Sequence, residues 1–358
     1  GSETTREHGT IRIYWETFTA CSPNVSPVFS RPEPQHSPAG RRPSRDATMP
    51  QPNDIHDALA TYDAEPVREL HRVRPHATYE VRFRGERAVC KFATHPLGDP
   101  ETEARTIQYL RQETGVPVPE VLAVGDNHFL TRWCDAVPNE PPERDEDRIR
   151  ALGRGLAILH SETTTDVDCS GRPQSRDGHL EVDEGHWSDT LLELLSRRER
   201  YLDTVGYGEL TRRVADTVRD HRTCLNAVDD TVLVHGNYFG EHVGTDADET
   251  TAVIDFEHAL AGSPEWDYLR TVGPVFGPGA DHDVAEERFR SAYEAVRPLP
   301  PGFDERRPLY ELVNGVSYLR SLHLQRGNLD DRQVVARRAR ALASHVRGRL
   351  NAFAEGGE

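Results

Sequence analysis

A change of hydrophobic period divides this chain and limits its fold to a small sheet followed by a larger helical body. The apolar residues first come in short strand-like runs. Tyr79–Arg84 and Ala88–Ala93 flank a hairpin turn at Arg84-Gly85-Glu86, and Val121–Val124 and Phe129–Trp133 add two more strands. A short helix over Ile55–Tyr62 precedes them. A second helix, opened by Pro100, runs to about Thr114 with Ala104, Ile107 and Leu110 on one face. After a Pro/Glu-rich stretch from Val137 to Arg144 the period lengthens. Ile149, Leu152, Leu156 and Leu159 recur at three- and four-residue steps, which predicts an amphipathic helix. The polar segment from Ser161 to Gly185 reads as a loop. Further helices are expected near Trp187–Leu202, Glu209–Val228, Glu265–Val272, Val284–Val296, Pro308–Leu324 and Asp331–Phe353. Two short strands, Thr231–His235 and Thr251–Phe256, interrupt that series. The expected class is α+β, with an N-terminal lobe over 49–136 and a helical lobe over 137–358. Residues 1–48, rich in Ser, Pro, Thr and Arg, end before the only methionine, Met49. They are expected to be a disordered tail or sequence upstream of the natural start.

The bulk properties remove several function classes. A chain of 358 residues with 36% hydrophobic content can bury a sizeable core. No run of about 18 apolar residues exists to span a membrane. The N-terminus lacks a charged-then-apolar signal pattern, so the expected location is cytoplasmic. Five scattered cysteines without a C-x-x-C pair argue against a disulfide framework and a zinc cluster. The net charge of −17, from 60 acidic against 43 basic residues, would repel nucleic-acid phosphates. Every basic residue except Lys91 is arginine. This acidity fits a halophilic protein, whose self-repulsion concentrated salt would screen.

The one lysine left in such a composition lies inside an apolar strand, Ala88-Val89-Cys90-Lys91-Phe92-Ala93. A compact ammonium can reach between phosphate oxygens and a carboxylate where a planar guanidinium fork does not fit. Glu103 follows on the next helix. A strand lysine and a helix glutamate in this order match the pair that positions nucleotide phosphates in kinases.

A second cluster reads Val232-Leu233-Val234-His235-Gly236-Asn237-Tyr238-Phe239-Gly240-Glu241-His242, followed by Ala252-Val253-Ile254-Asp255-Phe256-Glu257. It resembles the catalytic loop and metal-binding strand of the aminoglycoside phosphotransferase family and its choline-kinase-like relatives, which share the protein-kinase-like fold. In that family His-Gly-Asp is followed by four residues and Asn, and a second apolar strand ends in Ile-Asp-Phe. His235, Gly236 and Asp255 match with the spacing kept. Gly262-Ser263-Pro264-Glu265-Trp266-Asp267-Tyr268-Leu269 resembles the family's Gly-Asp-Pro-x-x-Asp-Leu segment, with Asp267 at the aspartate that supports the catalytic loop. With Lys91 and Glu103 the resemblance covers about Ala77 to Leu324.

The resemblance implies an ATP-dependent phosphotransferase acting on a small molecule that bears a hydroxyl. Lys91 would hold the nucleotide phosphates, Glu103 would orient it, and Thr131 and Trp133 would stand at the adenine hinge. Asp255 would bind Mg²⁺, and Asn237 would face the acceptor beside His235. Two positions depart from the family: Asn237 stands for the proton-accepting aspartate and His242 for the metal-ligating asparagine. His242 is expected to be a metal ligand beside Asp255, although Mg²⁺ prefers oxygen. An amide cannot take a proton, so the alternative reading is a nucleotide-binding pseudokinase with a regulatory or scaffolding role. No glycine-rich loop is found around Arg74–Tyr79. The acceptor, the choice of ATP or GTP and the oligomeric state stay open. Because no apolar period ties residues 1–48 to a core, deleting them should leave the melting temperature unchanged in a thermal scan; a clear fall would make them part of the fold.

Overall fold

The computed structural model describes residues 55–56, 59, 61–138, 145–165, 169–228, 230–276, 282–324 and 332–355. The expectation for residues 1–48 lies outside them. The chain groups into two compact units, and the boundary crosses the expected lobes. Residues 102–121 group with the helical unit, while Leu122–Arg132 return to the smaller one.

The smaller unit is a five-stranded sheet of β1 (Ala64–Val73), β2 (His76–Phe83), β3 (Glu86–Ala93), β4 (Val121–Val124) and β5 (His128–Arg132), ordered β1-β2-β3-β5-β4. The β2–β3 hairpin closes where the sequence places it. Arg84 and Gly85 both take positive φ, 49° and 85°, the backbone that lets a two-residue turn follow the twist of its strands. Strand β1 was not foreseen, because its charged sequence carries no clean alternation. It is an edge strand, paired only with β2, with bulges at Pro66/Arg68 and Glu69/His71. Charge, proline and bulges blunt such an edge against pairing with another chain.

Alternation along β3 fixes what each face does. Ala88, Cys90 and Phe92 join Val81, Phe83, Leu130, Ile55 and Leu59 in one buried cluster. Burial pushes the Cys90 thiol up to about 12, so it acts as a small apolar group. Val89 and Lys91 point to the opposite face. Val89 pairs with Thr131 and Lys91 with Phe129, so Lys91 and Thr131 share that second face.

The larger unit carries helices α1 (Pro100–Glu113), α2 (Glu146–Glu162), α3 (Trp187–Asp203), α4 (Gly208–Asp220), α5 (Arg222–Leu225), α6 (Pro264–Phe276), α7 (His282–Glu294), α8 (Phe303–Leu324) and α9 (Arg332–Glu355). The segment 161–185 is not all loop, for it contains a small hairpin, β6 (Gln174–Arg176) with β7 (His179–Glu181). The two motif strands do not pair with each other. Strand β8 (Val232–Val234) pairs with β11 (Leu260–Gly262), and β10 (Glu249–Val253) pairs with β9 (Val243–Asp246).

Aromatic packing centres on Tyr268 of α6, which meets Phe289, Tyr293 and Phe303 edge-on at 5.4, 5.6 and 5.3 Å. Beside it the Arg306 guanidinium of α8 donates to both oxygens of Glu265 on α6, through Nε at 2.8 Å and Nη2 at 2.5 Å, with Glu265 fully buried. This bidentate pair ties α8 to the segment that carries Asp267. Substituting Arg306→Leu strands a buried carboxylate and should lower the unfolding free energy by about 3–5 kcal/mol in a denaturant titration. A loss below about 1 kcal/mol would mean the pair is no better than an apolar contact.

Candidate active site

The loop after β8 is held from below by one carboxylate. Asp267 is fully buried, and its Oδ2 accepts the His235 backbone N–H at 2.6 Å while Oδ1 accepts that of Gly236 at 2.8 Å. His160 of α2 donates from Nε2 to Asp267 Oδ2 at 3.2 Å, and its Nδ1 accepts the Tyr293 hydroxyl at 2.8 Å. Burial by itself would raise the Asp267 pKa, but the His160 hydrogen bond and the adjoining imidazoles and amides reverse that and hold it below the usual aspartate value. Burial keeps His160 neutral, as its two hydrogen bonds require.

Above Asp267 the backbone turns sharply. Gly236 has φ +73°, and a Cβ there would stand 2.4 Å from the His258 carbonyl oxygen, so glycine is required on both counts. The Gly236 carbonyl accepts Arg270 Nε at 2.7 Å. His235 is fully buried, and both ring nitrogens are used: Nε2 donates to the Ile254 carbonyl at 2.9 Å, and Nδ1 accepts the Asn237 amide at 3.2 Å. It thereby links the loop to the residue before Asp255. Burial pushes this imidazole down to about 4, so it is neutral at physiological pH.

Asn237 is half-buried, and its carboxamide makes no hydrogen bond to the described residues. The Asn237 backbone carbonyl accepts His242 Nδ1 at 2.9 Å, which leaves His242 Nε2 facing Asp255 Oδ2 at 3.4 Å. This contact places His242 beside any cation that Asp255 holds. Arg148 of α2 fixes the rest of the loop by donating to the Val243 carbonyl and the Thr245 hydroxyl, both at 2.8 Å.

Asp255, two residues past β10, lies in the left-handed region, φ 71° and ψ 58°, which a short polar side chain tolerates better than other non-glycine residues. That turn aims its carboxylate at Glu103 and Glu257, and one ligand atom from each of the three lies within 4.8 Å of the others. This is an all-oxygen donor set of the kind hard cations take, so these residues fit Mg²⁺. Of the expected metal residues, Asp255 stands in the set and His242 beside it. Glu103, expected to orient Lys91, joins it from α1. The sequence reading passed over Glu257, two residues beyond Asp255, and His160, whose only signal was a histidine on the apolar face of α2. Lys91 and Thr131 are buried in the smaller unit, and Trp133 donates its indole N–H to Asp135 at 2.9 Å.

The profile of the phosphotransferase enzyme family matches residues 67–309. The chain belongs to that family. Its fold is protein-kinase-like, as solved relatives show. A protein described as a fructosamine-3-kinase from Thermobifida fusca is 20% identical, with 81% of this chain and 98% of that one covered and a TM-score of 0.57. A thermostable aminoglycoside phosphotransferase, solved with ADP and hygromycin B, is 18% identical over 81% and 97% of the two chains with a TM-score of 0.56. The macrolide 2'-phosphotransferase MphH of Brachybacterium faecium is 16% identical over 81% and 98% with a TM-score of 0.52. No curated protein sequence matches.

For this phosphotransferase the buried histidines set a pH dependence. With its folded pKa depressed to about 4, His235 stays unprotonated while the unfolded chain takes up a proton near 6.5. Stability is therefore lost as pH falls from about 6.5 toward 4, by roughly 3 kcal/mol from His235. In denaturant titrations across that range His235→Gln should flatten this part of the slope. An unchanged slope would mean that the ring is not held neutral.

Proposed function

We propose that the chain transfers the γ-phosphoryl group of ATP to a hydroxyl of a small molecule. The observation that carries this reading is the Glu103, Asp255 and Glu257 carboxylate set beside a loop that Asp267 holds rigid. Mg²⁺ bound by these oxygens would neutralise charge on the nucleotide phosphates. Lys91 adds a point charge for the phosphates, and Thr131, on the same sheet face, marks the strand that leads to the adenine hinge at Trp133.

In the transfer the acceptor oxygen bonds to the γ-phosphorus, and the bond from that phosphorus to the bridging oxygen breaks. The bonding pair stays on ADP, and the hydroxyl proton leaves to water or to an oxygen of the transferred group. Asn237 accepts a hydrogen bond from the attacking hydroxyl and orients it without taking its proton. Positioning and charge neutralisation carry most of the catalysis in such a loose transition state. His235 is a positioning residue, since both its nitrogens are used within the protein. His242 completes the carboxylate site as a neighbour of Asp255. Deposition of all this chemistry in one fold favours turnover over a scaffolding role. We read the protein as a cytoplasmic enzyme of a salt-rich cell, a reading supported by the acidic composition and the free thiols of Cys90, Cys134 and Cys224.

The test is made in molar salt with MgATP. MgATP should raise the melting temperature of the parent, and Lys91→Ala should remove most of that shift. Where proton removal limits the rate, Asn237→Asp should raise turnover by up to about 10²–10⁴-fold with ATP affinity little changed. Equal thermal shifts in parent and Lys91→Ala would refute the phosphate site. Unchanged or lower turnover in Asn237→Asp would refute the reading of Asn237 as a weakened general base.

A further inference from the structure

Arginines in this acid-rich chain are commonly matched with carboxylates, as in Arg68–Glu80, Arg297–Asp230, Arg307–Glu286 and Arg306–Glu265. Some described arginines are not matched in this way. Arg198 on α3, Arg270 on α6 and Arg320 on α8 form no ion pair with any described carboxylate, and Arg198 Nη1 is buried without a hydrogen-bond partner. These three side chains belong to the helical unit, and all are partly accessible.

Arg270 borders the catalytic loop. Arg270 holds the Gly236 carbonyl, one residue before Asn237, and lies between the rings of Trp266 and Tyr318 at 5.2 and 5.7 Å. Arg172 donates to the Glu257 carbonyl at 3.3 Å, next to the carboxylate set. The charges of Arg270, Arg320 and Arg172 all act on Arg198. Burial first, and then this repulsion, push its guanidinium well below the usual arginine value. Arginine does not shed its proton under physiological conditions, so an anion is what relieves such a cluster.

We propose that this cluster is the acceptor subsite, and that the acceptor is a hydroxyl compound carrying a carboxylate or phosphate group rather than a polycation. The assignment rests on the phosphotransferase reading for its reaction but not for its binding. Arg198 and Arg320 grip the anionic group, while Arg270, already committed to Gly236, couples that grip to the loop carrying Asn237. A polycationic aminoglycoside would meet repulsion here, and an anionic hydroxyl compound would bring its hydroxyl toward Asn237. The transfer balances as written above, with the acceptor's own anionic group unchanged.

Two measurements test this. With MgADP saturating the nucleotide site, millimolar inorganic phosphate should raise the melting temperature of the parent. It should not raise that of Arg198→Gln or Arg320→Gln, and Arg198→Lys, which keeps the charge, should retain part of the shift; a cooperative melt shows that each variant folds. Transfer from MgATP is then compared across sugar phosphates, sugar acids, their uncharged parent sugars and aminoglycosides. Anionic acceptors should be preferred, and either Gln variant should lower kcat/KM for them about ten- to hundredfold. A phosphate shift that is absent in the parent, or equal in the Gln variants, overturns the subsite whatever the enzyme's activity. Turnover of aminoglycosides or uncharged sugars that the Gln variants leave intact overturns it while the kinase reading stands. Weakened MgATP binding in Arg198→Gln overturns it in favour of a nucleotide role. If no acceptor turns over but the arginine-dependent phosphate shift is present, the anion site stands and the kinase reading fails.

Discussion

The active-site geometry depends on one buried carboxylate accepting two consecutive backbone N–H groups. Asp267 holds His235 and Gly236 by their amides and receives a third hydrogen bond from neutral His160, which Tyr293 orients in turn. An ionised carboxylate is costly to bury unless its lone pairs are satisfied. Here the same three donors that satisfy it also fix the turn that presents Asn237. The glycine at 236 follows from that turn, since a side chain would collide with His258. His235 then passes the order on to Ile254 and so to the strand end that aims Asp255. Helices α2, α6 and α7 and the catalytic loop are thus coupled through a single hydrogen-bonded chain.

Charge placement divides the helical unit into two chemically opposite regions. Carboxylates converge at Glu103, Asp255 and Glu257, where a hard cation suits them. Arginines converge within a few residues of that set, joined to it through backbone carbonyls at Gly236 and Glu257. A phosphoryl transfer between two anionic molecules needs both regions. Attraction for the substrates and neutralisation of the charge that moves come from different side chains. The net charge of −17 hides this pattern, because it averages an acid-rich composition with a local group of arginines.

Much of the site was legible because its residues sit in short motifs with fixed spacing. His235, Gly236, Asn237, His242 and Asp255 all lie on one loop and one strand end, and Lys91 stood out as the only lysine. Helices α1 to α4 and α6 to α9 followed from their apolar period. The pieces that escaped depend on long-range contacts. Strand β1 has an edge strand's charged sequence, so alternation is weak, and only its pairing with β2 makes it a strand. Strands β9 and β11 are three or four residues long and exist through the partners they find in β10 and β8. Glu257 reads as one acidic residue among 60, and Arg198 as one arginine in an Arg-rich helix.

The sequence by itself determined the fold class, the order of the longer helices and the family, because hydrophobic period and motif spacing are local properties that need no partner to be read. It also determined which groups can titrate or bind phosphate. Only the tertiary structure decided which of them meet. It joined Glu103 of α1 to Asp255 and Glu257, across more than a hundred residues of chain. It used up both nitrogens of His235 in positioning, and it left three arginines from three helices without an ion pair to any described carboxylate. The reason is physical: a side chain's charge and hydrogen-bonding capacity belong to its residue type, whereas its desolvation and its partners are set by whatever the folded chain packs around it.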